Sequence, residues 1–115
     1  MEAPSGKLET LSQKQARFTE SLAVLVLVAK ELGYTVTYGE VYRSPEEAKR
    51  QGFPNSLHVD RLAADINLFR DGRYLDTTEA HRPLGELWER FGKDYRWGGR
   101  FNDGNHYSIE HNGRK

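Results

Sequence analysis

Cysteine is absent from this sequence. That removes a disulfide framework, a thiolate nucleophile and any Cys-based metal ligand, so a bound metal would have to rest on His, Asp or Glu. Net charge is absent as well, because seventeen Lys/Arg and seventeen Asp/Glu side chains cancel. Proteins held to nucleic acid by a general positive field draw their affinity from excess Lys and Arg, so no nucleic-acid partner is expected. Long apolar runs are missing too. The longest, Leu22 to Ala29, falls far short of the roughly 20 residues of a membrane-spanning helix. It also lacks the basic flank and small-residue cleavage site of a signal peptide. A soluble chain made in the cytoplasm is expected, without membrane insertion. Repeats, low-complexity tracts and linkers are lacking, and 115 residues suffice for one modest core. The chain 1–115 therefore reads as a single domain with a loose lead-in over 1–9.

What is present reads in order. Ser12 followed by Gln15 fits a capping box, and a helix should run to about Leu32 with Gly33 as its C′ residue. Its second half is apolar nearly all round, which predicts a central core helix; a buried strand through 23–28 is the competing reading. Tyr34 to Tyr42 alternates as a strand, with a bulge at Gly39. Ser44, Pro45 and Glu47 form a second cap and open a short helix that ends near Gly52-Phe53-Pro54. The run Leu62 to Phe69 reads as a strand, Arg70-Asp71-Gly72-Arg73 as a hairpin turn, and Tyr74-Leu75 as the start of a return strand. A helix follows over about Thr78 to Phe91. Pro83 suits a first turn, which moves the expected start toward His81; Leu84, Leu87, Trp88 and Phe91 give its buried stripe. A Gly-rich loop after Trp97 leads to a final strand from His106 to Glu110. The fold class is α+β: a small antiparallel sheet packed on the Ser12–Leu32 helix and its neighbours.

Two stretches carry chemistry. In the first, His58 and Asp65 lie where a loop residue and a strand residue can share one cavity. A carboxylate beside a core strand is costly unless paired or bound to a cation. In the second, Asp103-Gly104-Asn105-His106 sits in a tight turn entering a strand. Ordinary readings stand beside these: Asp65 paired with Arg61 or Arg43, and Asp103-Gly104 as a plain turn. Taken jointly, His58, Asp65 and His106 read as a zinc site with Asp103 as the acid/base beside it, since catalytic zinc usually keeps three protein ligands and one open position. His81 and His111 are assigned no metal role. Trp97 reads as support for the Gly-Gly turn, and Arg100 and Tyr107 as neighbours of the site.

The pattern Ser56-x-His58-x6-Asp65, then Asp103-x-x-His106, with Tyr42-Arg43-Ser44 upstream, resembles the M15 zinc peptidases. That family includes D-alanyl-D-alanine carboxypeptidases, D-Ala-D-Ala dipeptidases and phage L-alanyl-D-glutamate endolysins. The resemblance spans about 34–110. Ser56, His58, Ala63, Asp65, Asp103 and His106 match the family pattern, whereas Arg61 stands where the family often has glycine. Asp rather than Glu at 103, the small size and Trp97-Gly98-Gly99 look most like the endolysin branch.

The resemblance implies a Hedgehog-like zinc peptidase fold, acting as a monomer on the peptidoglycan stem peptide. His58, Asp65 and His106 would bind Zn2+. Asp103 would move the proton from the attacking water to the leaving amine. Arg43 would stabilise the developing oxyanion or hold a substrate carboxylate; its ordinary alternative is a salt bridge to Glu46 or Glu47. Ser56 would contact substrate or orient the His58 loop. The implied reaction is L-alanyl-D-glutamate endopeptidase cleavage by a phage or prophage endolysin, reaching the wall by holin-type release. The alternatives are a D-alanyl-D-alanine carboxypeptidase and a non-catalytic zinc-binding cell-wall module. A metal-dependent nuclease is disfavoured by the neutral charge.

Overall fold

The computed structural model of the chain describes residues 8–115. Helix α1, Leu11–Glu31, starts under Thr10, whose hydroxyl accepts the Gln13 N–H while the Gln13 side chain returns to the Thr10 backbone. The capping box expected at Ser12 and Gln15 is thus built earlier by residues of the same chemistry, and Gln15 instead donates to the Asp60 carbonyl. At the far end Gly33 adopts a φ of 92°, and the N–H groups of Gly33 and Tyr34 close on Lys30 and Ala29. This is the glycine-terminated stop that the sequence predicts.

Only one face of α1 is covered, through Phe18, Leu22, Leu25 and Ala29, while Val24 and Leu27 are 45% and 64% exposed. The expected central core helix is therefore an outer-layer helix. A small chain has one sheet face and one companion helix to pack against it, so an all-round apolar stretch cannot be enclosed. Within the expected loose lead-in, Glu9 is held by Arg17, which also grips Asp94; positions 1–7 of that lead-in lie outside the described residues.

The sheet has strands β1 (Thr35–Tyr38), β2 (Ala63–Arg70), β3 (Arg73–Leu75), β4 (Tyr95–Trp97) and β5 (His106–Ile109). Every pairing is antiparallel, in the order β1-β2-β5-β4, with β3 returning on β2 through the Asp71-Gly72 turn. β1 is shorter than the stretch expected to Tyr42. Beyond Tyr38 it keeps only two bonds to β2, Gly39 N–H to Asp65 O and Asp65 N–H to Glu40 O, both 2.8 Å. The chain then leaves for helix α2 (Pro45–Arg50), where Ser44 caps the Glu47 N–H. The Glu47 carboxylate does not complete a box; it takes Arg50 and Gln51 instead.

Helix α3, Thr78–Glu89, starts under Thr77 and not near His81, so Pro83 lies inside it on an exposed turn. A capped start one turn earlier outweighs the missing proline N–H, although an interior proline costs about 3 kcal/mol in an isolated helix. Leu84 and Trp88 of its stripe are fully buried and Leu87 and Phe91 pack beside them.

The fold is α+β, a small antiparallel sheet under helices, as the sequence predicts. Strand alternation then sorts the side chains of the central strands between its two faces. On β2, Ala64, Ile66 and Leu68 enter the core, which sends Asp65 to the opposite face. On β5, Tyr107 and Ile109 enter the same core, which sends His106 and Ser108 out beside Asp65.

Candidate metal centre

Asp65 and His106 are direct cross-strand partners, so their side chains stand next to each other on the sheet face away from the core. His58 arrives from the turn between Ser56 and Leu62, where three consecutive backbone bonds (Ser56 O to Val59 N–H, Leu57 O to Asp60 N–H, His58 O to Arg61 N–H) wind the chain tightly. Arg61 closes that turn with a φ of 57°, the left-handed conformation that glycine adopts freely. The Arg61 guanidinium stacks 4.2 Å from the Tyr42 ring. A non-glycine residue holds this conformation at the cost of local strain.

His58 Nε2 and His106 Nδ1 each lie 3.4 Å from the same oxygen, Asp65 Oδ1. The three ligand atoms lie within 4.8 Å of one another, and both imidazoles are buried. The remaining ring nitrogens are held by backbone carbonyls: His58 Nδ1 by Val41 O at 3.1 Å, and His106 Nε2 by Lys115 O at 3.0 Å. A carbonyl only accepts, so those nitrogens carry the N–H. The two nitrogens facing Asp65 are then lone pairs in the neutral rings.

Three acceptors converging on one point repel unless a proton or a cation lies among them. Outer-nitrogen carbonyl bonds of this kind are also the usual support of metal-ligating histidines. The buried His58, Asp65 and His106 group could hold a metal ion.

The titration behaviour agrees with that geometry. Burial alone would depress the His106 imidazole, yet the bond to Asp65 and the Lys115 carbonyl hold it above the ordinary histidine value. Burial alone would raise the Asp65 carboxyl, yet His106 and His58 hold it down at about 2.

The centre forms the floor of a cleft of about 600 Å³. Asp103, Arg43, Ser56, Phe53 and Phe101 line it. The exposed Asp103 carboxylate makes no hydrogen bond or ion pair with the described residues, while its backbone is fixed by Asp103 N–H to Gly98 O and His106 N–H to Asp103 O, at 2.8 and 3.0 Å. Gly98 is essential to this turn, since a Cβ there would run into the Asp103 carbonyl and the His106 Cβ. Trp97 supports the same loop from below, with its indole against Gly85 and Gly99 and its Nε1 donating to Gly104 O at 2.7 Å.

Arg43 is buried, but its partner is neither Glu46 nor Glu47. Its Nε and Nη2 fork grips Glu40, and Nη1 donates to Ser56 Oγ at 3.2 Å. The Arg43 guanidinium holds the Glu40 carboxyl below its usual range. Ser56 Oγ also accepts the His58 N–H at 3.2 Å, so this hydroxyl joins the arginine to the histidine turn. Asp65 pairs with neither Arg61 nor Arg43.

Arg100 and Tyr107 do not border the cleft. Arg100 pairs with Glu89 across Trp97, and Tyr107 points through the sheet to His81. His111 is half-buried against Lys14. Sequence reasoning missed Glu40 and Ser108. Ser108 was legible from its strand phase with His106, and Glu40 from its spacing to Arg43 once that stretch is read as a turn.

No protein-family model matches this chain, and no curated protein matches it in sequence. The M15 resemblance therefore rests on the motif residues.

Proposed function

We propose that this chain is a zinc-dependent peptidoglycan peptidase, an L-alanyl-D-glutamate endopeptidase acting as a phage or prophage endolysin. The observation that supports it most is the convergence of His58, Asp65 and His106 at the floor of one cleft, with Asp103 and Arg43 on its walls. Two imidazoles and one carboxylate suit Zn2+ among the common divalent ions. When bound there, the ion supplies Lewis acidity, polarising a carbonyl and making water a nucleophile near neutral pH.

The chain's own residues do the rest. Asp103, its carboxylate unbonded to the described residues, takes the proton of the attacking water and returns it to the leaving amine. Glu40 takes Nε–H and one Nη2–H of Arg43, and Ser56 takes one Nη1–H, so the remaining N–H on each terminal nitrogen is the donor to a developing oxyanion or a substrate carboxylate. Ser56 keeps that donor in register with the His58 turn.

The test is mass spectrometry of purified muropeptides incubated with the zinc-loaded protein, with Asp103→Ala as control. Release of L-Ala-bearing glycan and a D-Glu-led peptide is expected, with the rate falling about 10²–10⁴-fold in the variant. Loss of only terminal D-Ala would make the enzyme a carboxypeptidase. No cleavage by a protein shown to hold one zinc would leave a binding module.

A further inference from the structure

The last residues of the sequence fold back against the metal centre. His111 and Arg114 bridge each other, and this turn delivers the Lys115 carbonyl to two side chains of one strand face. His106 Nε2 lies 3.0 Å from that oxygen, and Ser108 Oγ donates to it at 2.6 Å. The turn is fastened elsewhere. Arg114 pairs through Nη2 with Asp60 and donates through Nη1 to Asn55 O at 3.3 Å. Both acceptors flank His58 in its loop. The start of α1 ties down the same two pieces: Gln15 donates to Asp60 O at 2.9 Å, and Lys14 reaches Glu110 O and His111 at 3.2 Å.

We infer that segment 111–115, clamped by Arg114, is the positioning element of the metal centre, setting both the tautomer of His106 and the separation of the two imidazoles. The inference rests on the metal reading above. His106 and His58 belong to different pieces of chain, a strand and a loop, and the metal requires their nitrogens at one fixed spacing. The strand ladder fixes His106 relative to Asp65 and leaves the His58 loop to be fixed by other bonds. Arg114 supplies one of these, since a single guanidinium holds the loop on one side and the turn behind His106 on the other. Ser108 keeps the Lys115 oxygen aimed at Nε2, so that Nδ1 presents its lone pair to the centre. Arg114, Ser108 and Asp60 are thus positioning residues. None is a ligand, and none needs to touch substrate.

The test is zinc affinity of the full chain, measured by competition with a chromophoric chelator, together with the visible absorption of the cobalt-substituted protein. Arg114→Ala should weaken zinc binding by about 10–100-fold, the range for losing an outer-shell partner of a metal ligand. It should also shift the cobalt bands, which report ligand geometry. Arg114→Lys should restore part of the affinity, and Arg100→Ala, a surface pair elsewhere, should change nothing. Ser108→Ala approaches the same carbonyl from the other side and should weaken binding without breaking the Asp60 clamp. If Arg114→Ala does not fold, Asp60→Asn and Ser108→Ala carry the test. Folded variants with unchanged zinc affinity and cobalt spectrum would overturn the inference while leaving the centre intact. A wild-type protein that binds no zinc would overturn the metal reading itself.

Discussion

Two pairs of buried rings sit on opposite sides of β5, supplied by neighbouring residues. Tyr107 faces the core and bonds His81 at 2.9 Å; His106 faces the cleft and meets Asp65 and His58. Both histidines are buried to a similar extent. They titrate in opposite directions. Burial without a charged partner pushes His81 down to about 4, whereas Asp65 and a backbone carbonyl overcome burial and push His106 up. The difference shows that burial alone does not mark a functional histidine. The converging carboxylate is the better mark, because it lets a ring that burial alone would keep neutral hold a proton or a cation.

The strongest way to break the comparison is Asp65→Asn. In chelator-treated wild type, zinc at a hundred times its Kd should add about 2.7 kcal/mol to unfolding free energy. The variant should show no zinc-dependent rise by calorimetry, because the His58–His106 side then resembles the His81 side. A full zinc response in the variant would remove Asp65 from the ligand set.

The pH dependence of the metal-free protein sharpens the same contrast. The folded His81 value of about 4 lies below the ordinary 6.5, so the unfolded chain takes up the proton first. Stability should fall by up to about 3 kcal/mol as pH drops through that window. The folded value of His106 is raised, so its contribution is present below the ordinary value and is lost as pH climbs through the raised one. Chemical denaturation across pH should therefore give a peak near the ordinary histidine value. His81→Gln should flatten the acid limb, and Asp65→Asn the alkaline one. A profile whose acid limb survives in His81→Gln would assign that limb to other groups.

The smallest expected effect concerns the turn that carries His58. Arg61 is in the left-handed region, so Arg61→Gly should be more stable than Arg61→Ala by about 1 kcal/mol in urea unfolding. Equal stabilities would mean that the turn relaxes when the Tyr42 stack is lost.

Much of this molecule was legible in order along the chain because the signals are local. Gly33 stops α1 through its own backbone freedom, Asp71-Gly72 turns the hairpin, and Ser44 caps α2. Where local signals were ambiguous, neighbours decided. Thr10/Gln13 and Ser12/Gln15 both suit a cap, and Asp60 claims Gln15. Pro83 favours a helix start, and Thr77 provides an earlier one. The apolar second half of α1 promised enclosure, but burial depends on what remains to cover it, which periodicity does not encode.

The sequence by itself determined the donor set. Without cysteine, the metal-ligating chemistry is confined to histidines and carboxylates, and strand phase sends Asp65, His106 and Ser108 to one face. Only the tertiary structure decided which groups those donors meet. Glu40 takes the Arg43 fork, Lys115 carbonyl sets the His106 tautomer, and Arg114 joins the His58 loop to the turn behind β5. Each of these bonds closes a loop of chain between distant positions or depends on a turn direction. Their partners are chosen by where the backbone goes, and residue type alone leaves that open.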